Sequence, residues 1–163
     1  MNHSQIKSVI SVVLRRLGYH SSSAVELVFL TGLVESNYAY LRQLGEGPAK
    51  SFFQIEPATC KDIVDNYVKY RGKLQKAIGD AARIRKRWDA APMDELSYML
   101  ETNIAFAICM CRVHYRRVPK ALPKIGDKRD FASYWKSYYN TELGAGTVEK
   151  FLDAESRRKD GYK

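Results

Sequence analysis

Ser23-Ala24-Val25-Glu26-Leu27-Val28-Phe29-Leu30-Thr31-Gly32-Leu33-Val34-Glu35-Ser36-Asn37 is the stretch on which the fold turns. Ser23 and Glu26 have the spacing of a capping box, in which hydroxyl and carboxylate satisfy backbone N–H groups at a helix start. Beyond them the helix is apolar almost all round, and such a helix belongs in the centre of a fold. Residues 24–34 are too few to cross a bilayer, which takes about 20 apolar residues, so no transmembrane segment is expected. A central helix has to be enclosed by others.

The flanking sequence supplies them. On the N-terminal side, Ile6, Val9, Ile10, Val13, Leu14 and Leu17 recur at helical spacing and Gly18 closes the run. On the C-terminal side, residues 44–49 hold Gly45, Gly47 and Pro48 and read as a turn-rich segment. Residues 51–55 form a short apolar piece, so 44–56 is the one place where an irregular or β-like segment is expected. Pro57 suits the first position of a third helix, with Ile63, Val64, Tyr67 and Val68 inward. The polar stretch 71–93 is expected to be helical in parts. Asp94 opens what reads as the longest helix, with Leu96, Met99, Leu100, Asn103, Phe106, Ala107, Met110 and Val113 in register, ending before Pro119. A helix from Asp127 carries Phe131, Tyr134, Trp135, Tyr138 and Tyr139, and a last one runs from Thr147 towards Arg158. The fold class expected is all-α, one compact helical domain over residues 1–163.

Composition narrows the functional classes. The 163 residues suffice for a buried core, and 45% hydrophobic with 28% charged residues is ordinary for a globular chain. The net charge of +9 favours an anionic partner: nucleic acid, a membrane surface or an acidic polymer such as bacterial wall. The densest basic run, Arg83-Ile84-Arg85-Lys86-Arg87, reads as a solvated face. Cys60, Cys109 and Cys111 read as buried reduced thiols, since three cysteines without histidine spacing build neither a disulfide framework nor a metal site. His3, His20 and His114 show no ligand or catalytic pairing, and surface or capping roles are expected for them. No cofactor or metal is called for.

Glu35 is the outlier, an acid at the end of the most hydrophobic helix. Burial there disfavours its charged form and raises its pKa, as a glycosidase acid requires. The sequence after it carries a motif. Glu35-Ser36-Asn37-Tyr38 and then Ala49-Lys50-Ser51-Phe52-Phe53-Gln54-Ile55-Glu56-Pro57-Ala58-Thr59 resemble the signature of the lytic transglycosylases and the related goose-type lysozymes. That signature is Glu-Ser at a helix end, then Gly-Ala-x-Gly-Leu-Met-Gln-[Ile/Val]-x-Pro-x-Thr. Asn103-Ile104-Ala105-Phe106-Ala107 resembles a later helix of the family, and Tyr138-Tyr139-Asn140-Thr141, with Gly144 and Gly146 behind, resembles its Ala-Tyr-Asn-Ala-Gly motif. The likeness spans roughly residues 27–152.

The resemblance implies a lysozyme-like fold and cleavage of the β-1,4 bond between N-acetylmuramic acid and N-acetylglucosamine in peptidoglycan. It implies Glu35 as general acid/base, with Ser36 and Gln54 orienting it or touching the N-acetyl sugar. Tyr139 would sit against Glu35 and help set its pKa, and Asn140 would hold that turn. Ser51 stands where the family has its second Gly, and Phe52-Phe53 where it has Leu-Met, which reshapes the sugar groove; Ser51 and Phe53 therefore count among the binding candidates. Thr141-Glu142-Leu143 displaces the family's glycine-alanine pair. Hydrolysis by two carboxylates needs a second acid about 5–9.5 Å from the first, and Glu46 and Glu56 are the candidates. Phe52, Phe53, Tyr38, Tyr40, Tyr138 and Tyr139 offer faces for sugar rings.

The expected partner is the peptidoglycan glycan strand, met by a monomer without required nucleic acid. Met-Asn-His-Ser-Gln-Ile-Lys at the start has no apolar run before a cleavage site, so no signal peptide is expected. That absence and the small size resemble a bacteriophage-encoded, endolysin-like member, made in the host cytoplasm or carried in a virion. Two other classes stay open: an inactive sugar binder on the same scaffold, and a basic module docking on nucleic acid or a host protein.

Overall fold

The computed structural model of this chain describes residues 1–85, 87–140 and 144–159. Eight α-helices carry the architecture: α1 His3–Leu17, α2 Ser22–Ser36, α3 Pro57–Ile63, α4 Gly72–Ala82, α5 Met93–Thr102, α6 Ile104–Arg116, α7 Lys128–Trp135 and α8 Val148–Ser156. Wide π-helical turns, Val64–Val68 and Lys136–Asn140, prolong α3 and α7. Among the described residues no sheet forms, and extended pairing is limited to the bridges Arg42–Lys50 and Lys50–Ile55. The class is all-α, with its irregular segment where the glycines and prolines placed it. Among the described residues no single helix is long and apolar enough to cross a membrane.

Helix α2 is the centre. Residues 24–34 are all buried except Glu26, and the helix packs against α1, α6, α7 and α8. Each fully buried Val, Leu or Phe is worth about 1.5–3 kcal/mol, so the end of α2, and with it Glu35, is held rigidly. The buried Thr31 hydroxyl within it is paired: it donates to the Leu27 carbonyl at 2.8 Å and accepts from the Tyr115 hydroxyl at 2.8 Å.

The expected capping box does not form. Ser21 is the N-cap, its Oγ accepting from Ala24 N–H at 3.0 Å. The helix starts two residues earlier than a cap at Ser23 would set, and the Glu26 carboxylate is drawn instead into ion pairs with Lys7 and Arg158. The long helix expected from Asp94 is also two helices, α5 and α6, bent by 110° at Asn103. Asn103 leaves helical geometry (φ −116°, ψ 96°), caps α6 through Oδ1 on Phe106 N–H at 2.9 Å, and donates Nδ2 to the Ala82 carbonyl at 2.9 Å. An asparagine side chain that can replace backbone partners breaks a helix which periodicity alone would continue.

Past Ser36 the chain reverses through two consecutive left-handed residues, Asn37 (φ 52°) and Tyr38 (φ 53°). Tyr38 folds back along α2, stacks on Phe29 with centroids 5.8 Å apart, and donates its hydroxyl to the Phe29 carbonyl at 2.8 Å. Gly32 leaves it room, since a Cβ there would meet the Tyr38 ring at 2.5 Å. Gly32→Ala is therefore expected to destabilise the protein by about 1–3 kcal/mol, seen as a lower urea midpoint at unchanged slope.

Candidate active site

Glu35, at the C-terminal end of α2, opens into a cleft of about 850 Å³. One wall is the 40–56 segment with α3, contributing Tyr40, Gln54, Ile55, Glu56, Ala58 and Asp62. The other comes from the end of α6 (His114, Arg117), the π-turn after α7 (Tyr139, Asn140), residues 144–146, and Lys150 on α8.

Burial pushes the Glu35 carboxyl up from 4.5 to about 7, with the Trp135 hydrogen bond and the Lys150 charge pulling the other way. Trp135 Nε1 donates to Glu35 Oε1 at 2.9 Å. Oε2 has no protein partner among the described residues and is not a buried atom, so it faces the cleft. With an N–H fixed on Oε1, the acidic proton sits on Oε2, the oxygen a ligand can reach. The carboxyl is thus half protonated near neutrality, oriented on one side and open on the other. Tyr40 fixes the backbone here, donating its hydroxyl to the Glu35 carbonyl at 2.9 Å.

The segment carrying the motif is tied to this helix end by Ser36, whose buried Oγ donates to the Phe52 carbonyl at 2.8 Å and accepts from Tyr38 N–H at 3.1 Å. Ser51 (φ 68°) and Gln54 (φ 48°) both adopt left-handed geometry, which shapes the tight turn between them. Ser51 stands where the resembling signature has glycine, the residue for which that geometry is free of strain. It is buried, and its Oγ accepts from Phe53 N–H at 3.2 Å.

Of the residues singled out from sequence, Glu35, Gln54, Tyr139 and Asn140 line one cleft. Ser36, Ser51 and Phe53 do not. Their side chains point into the core, where the chain reversal needs a hydroxyl or ring to fill and bond it. Tyr38 and Phe52 are core for the same reason. Tyr139 spends its hydroxyl on the Phe53 carbonyl at 2.7 Å rather than on Glu35; it clamps the two walls together. Gln54 turns Nε2 onto the Ser51 carbonyl at 2.7 Å. Asn140 does hold its turn: Oδ1 accepts from Lys136 Nζ at 3.0 Å and Gly146 N–H at 3.2 Å, while Lys136 also reaches the Gly144 carbonyl at 2.9 Å. Thr141, Glu142 and Leu143 lie outside the described residues. Glu56 lines the cleft and Glu46 does not.

Three cleft-lining residues, Asp62, Lys150 and His114, and the buried Trp135 behind Glu35 escaped the sequence reading. Trp135, the partner of Glu35, sits one turn before Tyr139 and read as one more core aromatic. Asp62 is held ionised, below the usual carboxylate range, by hydrogen bonds from Asn66 and Arg117. Lys150 adds a positive charge near Glu35. His114, expected at the surface or in a cap, is instead a mostly buried ring against Tyr139, centroids 4.7 Å apart. His3 is buried too, its Nδ1 accepting from Lys159 N–H at 2.8 Å. The three cysteines are buried and free as expected, and Arg83, Arg85 and Arg87 of the basic run are exposed.

The chain matches no protein-family model, no curated protein and no solved structure.

Proposed function

We propose that this protein is a peptidoglycan-cleaving glycosidase of the lytic transglycosylase or lysozyme type, with Glu35 as its general acid/base. One observation carries the reading: a carboxyl with a pKa of about 7, anchored through Oε1 by Trp135 and presenting Oε2 to an open cleft. A proton donor works best when its pKa lies near the operating pH. The motif around Glu35 supports the substrate class, and the order of its residues along one wall agrees with it.

In this mechanism Glu35 Oε2 protonates the oxygen of the β-1,4 bond as the C–O bond breaks and the leaving sugar departs. The 2-acetamido carbonyl of the substrate attacks the anomeric carbon and carries the positive charge. Glu35, now ionised, takes a proton back either from the muramic 6-hydroxyl, which closes a 1,6-anhydro ring, or from a water. Glu56 shares the cleft and would stabilise positive charge at the reacting carbon electrostatically. Tyr139 and Asn140 keep the second wall at fixed distance from the first.

Mass spectrometry of soluble products from purified peptidoglycan tests this. Anhydro-muropeptides released by the wild type and not by Glu35→Gln are the outcome expected of a transglycosylase, and reducing ends that of a hydrolase. Absence of any product from folded wild-type protein on digestible wall would sink the enzymatic reading and favour a binding protein.

A further inference from the structure

His114 stands out as a polar group in the cleft that nothing in the protein uses. Its Nδ1 is buried without a hydrogen-bond partner. Its other ring nitrogen makes no hydrogen bond among the described residues and is not a buried atom, so it reaches the cleft that the ring lines. The ring is held by packing against Tyr139, tilted by 34°, and Tyr139 is itself fixed by the Phe53 carbonyl and by stacking on Tyr115 at 5.1 Å. Burial, with Arg117 one turn position away, pushes the imidazole down to about 4, against the opposing pull of Asp62. Near neutral pH the ring is therefore uncharged and carries a single N–H.

Where that proton sits follows from the surroundings. A buried N–H with no acceptor is among the rarest defects in folded proteins, whereas an unmet acceptor is tolerated more often. The proton therefore resides on Nε2, and the cleft gains a neutral donor of fixed direction. Arg117 is occupied by Asp62 at 2.7 Å, so this part of the wall does not offer an unpaired cation to a charged ligand group. A neutral donor in a cleft that is also lined by the apolar side chains of Ala58 and Ile55 suits a group with a carbonyl oxygen and a methyl. On an aminosugar polymer that group is the acetamide.

We propose that His114 reads the N-acetyl group of the glycan, donating Nε2–H to its carbonyl oxygen and making the cleft selective for acetylated over deacetylated sugars. This rests on the glycan reading above. The test uses Glu35→Gln protein, which binds without turnover, titrated with the tetramer of N-acetylglucosamine and with its fully deacetylated counterpart. Adding His114→Phe keeps a ring packed against Tyr139 but removes the donor. It is expected to weaken the acetylated tetramer about tenfold, the worth of one hydrogen bond, and to leave the deacetylated one unchanged. His114→Gln, which can place an amide N–H near the same point, is expected to stay within about threefold of the parent. Imidazole ¹⁵N spectra of the unsubstituted protein should show the Nε2–H form of His114, with that resonance moving on addition of the acetylated tetramer. An Nδ1–H form, or an unchanged preference in His114→Phe while the parent binds, overturns the role of His114 and leaves the glycosidase reading standing. No binding of either tetramer together with no product from peptidoglycan overturns both. Should His114→Phe fail to fold, the tautomer and the His114→Gln affinity decide.

Discussion

Glu35→Gln is expected to lower turnover on peptidoglycan by about 10²–10⁴-fold, the usual contribution of a positioned acid, and at the same time to stabilise the protein at alkaline pH. The two effects share one cause. The carboxyl titrates at about 7 in the fold against 4.5 as its ordinary value, so the fold holds its proton more tightly than the unfolded chain does. Its contribution is fully present below about pH 4.5, declines as pH rises, and is lost once pH passes about 7. Above that point the ionised, desolvated carboxylate costs roughly 3 kcal/mol. Glutamine keeps an oxygen for the Trp135 N–H and never ionises. Chemical denaturation at pH 8 should therefore find the variant more stable than wild type by a few kcal/mol, with the gap nearly closed at pH 5. The same titration sets the rate: wild-type kcat/KM should fall as pH rises through about 7, because the acid is then deprotonated. Equal stabilities at both pH values would mean that Glu35 is not desolvated in solution.

How far this could be read beforehand depended on whether a residue's role was local. The central helix, its aromatic partners and the proline start of α3 follow from periodicity and turn chemistry, which act over a few residues. The break at Asn103 was hidden because asparagine fell at a position in register with the apolar face. What takes it out of the helix is non-local: its Nδ2 bonds the Ala82 carbonyl, from another helix. Within the motif, sequence order found the segment but not the facing of its side chains. Two left-handed residues, Ser51 and Gln54, send Ser51 and Phe53 into the core and leave Gln54 on the cleft. Trp135 and His114 were missed for another reason. Trp135 occupies a position that a core residue would fill, and its second property appears only when α2 brings Glu35 onto its N–H; that of His114 appears only when the cleft forms around it.

Trp135→Phe is expected to move the alkaline limb of the pH profile upward, by roughly one unit. Among the described residues the indole N–H is the side-chain hydrogen bond that favours ionised Glu35, and it opposes the larger effect of burial. Hydrogen bonds to charged groups are worth about 1.5–3 kcal/mol, or about 1–2 pKa units. Removing this one leaves desolvation nearly unopposed, so the acid stays protonated to higher pH. Activity should still drop, by about tenfold or more at pH 6, since Oε1 loses its anchor and Oε2 its fixed aim. The indole also packs against Phe151, tilted, with centroids 5.5 Å apart, and covers Gly146, where no Cβ would fit. Phenylalanine therefore leaves a void at the base of the 144–146 turn, and stability should fall by about 1–3 kcal/mol. A merely structural tryptophan would lower activity equally at every pH. A limb that moves up while the plateau falls identifies Trp135 as the residue that orients and tunes the acid.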